Sequence, residues 1–402
     1  MLLSTPSKKR YGFGLLGLVG LVLTVKYTNT TSFLPTTICA SRQAPHNIDG
    51  RGTGETTVVS HAPGFTLFEN AYWKNYTWYF VTSRPWAFPE LSMVMTNAPG
   101  YDDWPPEFHD GLARVLSLSE AEHLGLNLKD AEVVKGSTFI FNDKTFLDHF
   151  YHLVGEMFLG AWRVYTSVLV NPFESTSQKT MHANSKSVLD QLPNVERFIF
   201  HHAPPDKVFD HGQLNQYFFD KVFPGSTLEF LDEWEARADT LKTFRFDMVL
   251  IADRWSGHMG NSPKPIGSVS LKDPSHAHSK PVITYLSRQE AVFRTLSDEA
   301  HEALSLGLKS LEDEGLAEVN IETFTDALSK DEQVAKLSRT TILVGVHGNG
   351  LTNLIWMTPD AYGRSAVYEI QQPGMFTEDY AILSEALGID HWVIGGRNEN
   401  LE

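Results

Sequence analysis

Short apolar runs alternate along the chain with longer stretches in which apolar positions recur at helical spacing, and the alternation comes in two series. In the first, residues 138–141 (TFIF), 197–200 (RFIF) and 248–251 (MVLI) read as strands. Residues 148–169 and 212–223 read as helices, with Asp148 offered as the N-cap of the first. The second series is cleaner: strands at 282–286, 319–324, 342–344, 366–370 and 391–394, with helices at 298–314, 326–337, 351–357 and 378–387. Strand and helix in strict alternation imply a parallel sheet covered by helices. Residues 253–280, dense in Gly, Pro, Ser and His, interrupt the pattern and read as the link between two lobes. An aromatic cluster from Phe65 to Phe80 precedes the first series and reads as strands or packed loops. The pattern therefore predicts an α/β protein with two Rossmann-like lobes and a substrate cleft between them.

The N-terminal end does not share this pattern. Lys8-Lys9-Arg10 precede an uncharged run from Tyr11 to Val25 that Lys26 closes. Cations before an apolar segment place that end in the cytoplasm and the rest of the chain in the secretory lumen. The run serves as an uncleaved anchor or as a signal peptide; the absence of small residues just after it favours the anchor. The expected organisation is a cytoplasmic tail at 1–10, a transmembrane signal-anchor at 11–27 and a flexible stem at 28–65. An N-terminal lobe at 66–260, a linker at 261–280 and a C-terminal lobe at 281–402 follow. Sequons at Asn29 and Asn75 agree with a lumenal, glycosylated protein.

Composition narrows the function. With 33 basic and 49 acidic residues the net charge is −16, which argues against a nucleic-acid partner. Cys39 is the only cysteine, so no internal disulfide or thiolate metal cluster forms. GxSxG, P-loop and GxGxxG patterns are missing, which counts against hydrolase, kinase and nicotinamide chemistry.

The stretch VGVHGNGLTN, residues 344–353, lies where a strand turns into a helix. Gly348 and Gly350 allow unusual dihedrals and close approach of a ligand, and the helix start offers free N–H groups to an anion such as a pyrophosphate. His347, Asn349 and Asn353 flank those glycines, and His347 and Asn353 add side-chain donors. Arg288 ends the first strand of the same series, where its planar fork suits phosphate oxygens. Glu369, near the end of the fourth strand, is placed to accept from ribose hydroxyls. In DHFYHLVGEMFLGAWR, residues 148–163, His149, His152, Glu156 and Arg163 fall on one helical face. His152 and Glu156 make a base and its orienter, or a structural pair inside the lobe. The HExxH order of a zinc site is absent. Asp102 and Asp103 offer only a weak hint of a metal site.

At these residues the chain resembles glycosyltransferase family 61, whose C-terminal signature reads roughly GxHGAGLTNxxF. Gly345, His347, Gly348, Gly350, Leu351, Thr352 and Asn353 match it, with Asn349 in place of Ala and Trp356 in the aromatic place. Residues 282–289 (VITYLSRQ) look like the family's hydrophobic-SR strand and 366–370 (AVYEI) like its V-x-E-I strand. Tyr151-His152 with Glu156 look like its FHxxxD/E element. The resemblance implies a GT-B fold and an inverting transfer from a UDP-sugar of the xylose, GlcNAc or arabinose type to a glycan or glycoprotein. It also implies a type II membrane enzyme of the Golgi or ER, with no metal or other cofactor required. His152 then serves as base with Glu156 orienting it, or Glu156 as base itself. The alternative is a non-catalytic carbohydrate-binding or chaperone-like relative, which should have lost donor residues; Arg288, His347 and Glu369 are all in place.

Overall fold

The computed structural model describes residues 10–11, 54–100, 105–167, 193–259, 280–291, 293–324, 328–357, 364–372, 374 and 376–395. Residues 12–27 of the expected anchor, Asn29, Cys39, the pair Asp102 and Asp103, and 261–279 of the expected linker lie outside the described residues. Among the described residues no helix is long and apolar enough to cross a membrane. The chain divides into two compact units. The first is Gly54–Leu271 with Ile382–Gly388; the second is Met1–Thr53, Lys272–Ala381 and Ile389–Glu402. In the second, β1 (Arg10–Tyr11) forms a two-residue parallel ladder with Thr295–Leu296.

The first unit is built on β2 (Thr57–Ala62), β3 (Phe65–Lys74), β4 (Thr77–Val81), β5 (Ala113–Leu116), β6 (Glu132–Phe141), β7 (Val195–Ile199), β8 (Thr227–Glu229) and β9 (Phe244–Ala252). The order is β5-β4-β3-β9-β6-β7-β8, with β2 paired to β3. Strands β9, β6, β7 and β8 are mutually parallel, as expected of a Rossmann-like lobe. The other half is not: β3 runs antiparallel to β2, β4 and β9. The cause is local. Asn75 and Tyr76 hold φ of 47° and 63° between Lys74 and Thr77, the two positive-φ positions of a type I′ hairpin turn. The aromatic block thus folds back on itself. Phe68, Trp73, Trp78 and Phe80 pack with Trp234 and Phe246 into the core beneath the sheet. Residues 57–62, expected as the end of the stem, form β2 because β3 offers them a free edge.

The second unit carries β10 (Val282–Leu286), β11 (Thr295–Leu296), β12 (Glu318–Glu322), β13 (Ile342–Val346), β14 (Ala366–Gln371) and β15 (Asp390–Gly395). Five of them form an all-parallel sheet in the order β12-β10-β13-β14-β15. Strand β10 is wholly buried, which fits its unbroken apolar run. Ser297 caps the helix Asp298–Asp313, and Ser329 with Glu332 forms a capping box on Lys330–Ser338. The chain starts at β10, steps to β12 on one side, then returns to β13 on the other. The order therefore reverses between β10 and β13. Ligands of open parallel sheets bind at the carboxyl ends of the strands beside such a reversal.

Candidate functional site

Two groups of polar side chains sit at carboxyl strand ends, one in each unit. In the second unit, Arg288 follows β10 and Gly348 follows β13, so both stand at the reversal. Gly348 holds φ +151°, and a Cβ there would lie 2.5 Å from Nη1 of Arg288. Any side chain there would have to push the guanidinium aside and adopt a φ that L-residues rarely take. Burial lowers the pKa of Arg288, and the nearby Arg294 lowers it further. Nε of Arg288 is buried and has no hydrogen-bond partner among the described residues. The motif's other residues are placed differently from expectation. Gly350 has no positive φ, and a Cβ there would meet only Leu286 Cδ1 at 4.0 Å. Asn353 is buried and its amide donates to the carbonyl of Gly350 at 3.0 Å, so it ties the turn rather than reaching outward. Asn349 accepts from the Thr352 hydroxyl at 3.2 Å. The turn Asn349–Trp356 is 3-10 rather than α-helical.

Glu369 lies on β14 beside β13 and is fully buried. Nδ1–H of His347 donates to its Oε1 at 2.5 Å, and Nε2–H of His391 donates to its Oε2 at 2.9 Å. Burial pushes this carboxyl up, but the hydrogen bonds from His347, His391 and Gln371 outweigh it, and its pKa falls below the usual carboxylate value. Both oxygens expected to meet a ribose are thus engaged by imidazoles. With Nδ1 committed to Glu369, His347 keeps Nε2 for a ligand. Thr377 Oγ1 lies 3.2 Å from Nδ1 and 3.5 Å from Nε2, and the Tyr380 ring meets the imidazole edge-on at 5.4 Å.

Two loops frame this edge, and each is closed by a glutamine. Gln289 donates to the carbonyl of Leu296 at 3.2 Å and accepts from its N–H at 3.1 Å. Gln371 does the same to Thr377, at 2.9 and 3.0 Å. A primary amide copies the paired donor and acceptor of a strand residue, so each side chain pins a loop where a ladder has ended. The first loop carries Arg294; the second delivers Thr377 to His347.

In the first unit, Nδ1–H of His152 donates to Oε2 of Glu156 at 2.6 Å. The spacing of four succeeds although Tyr151–Phe158 is a π-helix and only Leu159–Ser167 is α-helical. π-Turns inside a longer helix concentrate at functional sites. Phe150, not Asp148, occupies the cap position, without a side-chain hydrogen bond. Arg163 is exposed and takes no part in the buried cluster. The arginine of this cluster is Arg254. Its Nη1 lies 3.3 Å from Oε2 of Glu156 and 3.1 Å from Nδ1 of His152, and its Nε lies 3.0 Å from Oδ2 of Asp143. Nη2 donates to both oxygens of Thr145, each at 3.3 Å. Oε2 of Glu156 therefore accepts from both a guanidinium and an imidazole. That fixes the tautomer of His152 with Nε2 as acceptor, while the ring stays 22% exposed. Asp143 and Glu156 face a single arginine, so a proton gained by His152 balances the second carboxylate. Burial raises the pKa of Asp143 against the lowering effect of Arg254.

Behind this cluster Asp253 accepts from Thr96 N at 2.6 Å, Asn142 Nδ2 at 2.6 Å and Ser256 N at 2.8 Å. Complete burial still raises its pKa to about 6. Oδ1 of Asn142 lies 3.0 Å from Nε2 of His202; burial and Lys144 lower this histidine to about 3, so it is neutral. Residues 253–259 therefore belong to the folded unit, with Arg254–Met259 helical, instead of beginning the link between lobes. Asp143, Asp253 and Arg254 had a readable signal. Each follows an apolar strand by one or two residues, the same rule that found Arg288. Arg294, His391 and Thr377 had none, because nothing in their spacing relates them to the glycine-rich turn.

Residues 108–363, more than half of the chain, match the family described as Glycosyltransferase 61. The matched span takes in both clusters except for Glu369, Thr377, Tyr380 and His391, which lie beyond its end. Among curated proteins none matches the chain.

Proposed function

The chain belongs to the glycosyltransferase 61 family, and from that premise we propose that it moves a glycosyl group from a nucleoside-diphosphate sugar, expected to be a UDP-sugar, to a hydroxyl of a glycan or glycoprotein with inversion. The observation that carries this reading is the Arg288 guanidinium seated on Gly348 beside the reversal of the parallel sheet. A diphosphate placed there takes charge-assisted hydrogen bonds from Arg288 and from Nε2–H of His347 when that ring is protonated. Such bonds strengthen as the bond between the anomeric carbon and the diphosphate oxygen breaks and its electron pair passes to that oxygen. The acceptor oxygen forms the new bond to the anomeric carbon on the opposite face and gives its proton to His152 Nε2. Glu156 and Arg254 hold His152 in the required tautomer. Glu369 acts through His347 as a positioning residue rather than on ribose directly.

Melting of the full chain against a panel of nucleotide-sugars and bare nucleotides tests the donor reading. A ligand at a hundred times its Kd adds about 2.7 kcal/mol to stability. The expected result is a rise in Tm with one nucleoside-diphosphate sugar that Arg288→Ala abolishes, and transfer that His152→Ala abolishes with donor affinity intact. A nucleotide-induced rise that survives Arg288→Ala refutes the donor assignment. Transfer at wild-type rate by His152→Ala refutes the base. A lumenal reaction is supported by the basic and apolar N-terminal pattern and by Asn75, which lies exposed in its hairpin turn. Loss of a glycosidase-sensitive mobility shift in Asn75→Gln checks that placement.

A further inference from the structure

Arg294 is the second cation at Gly348. A Cβ on Gly348 would lie 3.0 Å from Cζ of Arg288 and 3.5 Å from Cζ of Arg294, so both guanidiniums stand over the same glycine. Among the described residues neither arginine pairs with a carboxylate. Two cations this close repel each other, and the repulsion is felt at Arg288. Arg294 also holds φ +57°, a conformation that costs a side-chain-bearing residue free energy. The loop persists because Gln289 clamps its far end to Leu296. An unfavourable pairing of like charges, held by a dedicated clamp and with no carboxylate ion-paired to either arginine among the described residues, is the geometry of an anion site.

We propose that Arg288 and Arg294 together grip a diphosphate, one phosphoryl group per guanidinium, and that Arg294 is thereby a second donor-binding residue that selects diphosphates over monophosphates. This rests on the donor reading above and adds to it the residue and the charge class. Each fork takes two oxygens of one phosphoryl group. A single phosphate satisfies one fork and leaves the other cation uncompensated. A nucleoside diphosphate leaving after transfer carries one more negative charge than the same diphosphate esterified to sugar. The pair therefore holds the product at least as tightly as the donor, and product release slows turnover.

The test is calorimetric titration of the full chain with inorganic pyrophosphate, orthophosphate, UDP and UMP. Wild type is expected to bind pyrophosphate and UDP at least tenfold more tightly than orthophosphate and UMP. Arg294→Gln, at an exposed side chain, is expected to keep the wild-type Tm, to weaken pyrophosphate and UDP at least tenfold, and to erase the preference over monophosphates. Arg294→Lys, which keeps charge without the fork, is expected to fall between. Wild-type affinity for pyrophosphate in Arg294→Gln overturns the proposal, as does equal binding of orthophosphate and pyrophosphate by wild type. If wild type binds a nucleotide-sugar in a manner that Arg288→Ala abolishes and Arg294→Gln does not touch, the donor reading stands and only the second arginine falls. If wild type binds no nucleotide and no pyrophosphate, both fall.

Discussion

Glu369→Gln is the sharpest probe of the second unit. The side chain is fully buried and each oxygen meets an imidazole N–H, at 2.5 and 2.9 Å. Hydrogen bonds to a charged group contribute about 1.5–3 kcal/mol each. Glutamine keeps the shape and one acceptor. Its NH2 faces a nitrogen that now also carries hydrogen, so one bond becomes neutral and the other is lost unless His391 changes tautomer. The expected cost at pH 7 is about 2–4 kcal/mol. For a unit of this size that lowers Tm by roughly 5–15 °C. The pH dependence has a definite sign. The folded-state pKa of Glu369 is lowered, so its contribution is present above the ordinary value of 4.5 and is lost as pH falls through the folded value. The deficit of Glu369→Gln should therefore be largest near neutrality and shrink at acid pH. Thermal unfolding followed by near-ultraviolet circular dichroism between about pH 4 and about pH 8 measures this. A variant within about 0.5 kcal/mol of wild type at pH 7, the scatter of ordinary surface changes, refutes the charged, doubly bonded carboxylate.

Other expectations follow from the same geometry. Gly348→Ala puts a methyl 2.5 Å from Nη1 of Arg288 at φ +151° and should lower both stability, by about 1–3 kcal/mol, and donor affinity, whereas Gly350→Ala, with only Leu286 Cδ1 at 4.0 Å, should leave Tm unchanged. Loss of transfer in a stable Gly350→Ala would show that the ligand itself approaches that backbone; loss of stability in it contradicts the packing described. Arg254→Met leaves Asp143 and Glu156 buried without their cation and should cost about 3–5 kcal/mol by denaturant unfolding. Asp253 has the opposite pH sign from Glu369: its folded pKa is raised to about 6, so its contribution is full below 3.8 and is lost as pH rises through 6. The stability deficit of Asp253→Asn should hence be smaller at pH 7 than at pH 4, by up to about 3 kcal/mol, and a deficit that grows with pH excludes a raised carboxyl.

The second unit was legible almost element by element. Its central strands β10 and β13 are largely buried and so appear as unbroken apolar runs, and two of its helices start at serine caps, Ser297 and Ser329, the second with Glu332 three residues on. Parallel strands share one carboxyl edge, so the positions of Arg288, His347 and Gly348 at the ends of their apolar runs already bring them together. His152 and Glu156 were legible for a similar reason, since a spacing of four survives even in a π-turn. The first unit was read less well. Its parallel half follows the alternation, but the antiparallel return from β3 to β4 depends on two positive-φ residues, Asn75 and Tyr76, that carry no glycine to announce them.

The direction in which a side chain turns was the least legible property. Asn353 and Glu369 sit at positions that suit a ligand, yet one caps its own turn and the other lies between two histidines. Arg294 and Arg254 reach their clusters from loops and strand ends distant in sequence, through Gln289 in one case and the pairing of β6 with β9 in the other. Periodicity, capping and the chemistry of a motif are local, acting over a turn of helix or a pair of strand residues, and one chain is enough to read them. Strand order, the partner of a buried charge and the rotamer that points toward or away from solvent are settled by long-range pairing and by the cost of leaving a polar group unsatisfied. Those costs are defined only once the neighbours are in place.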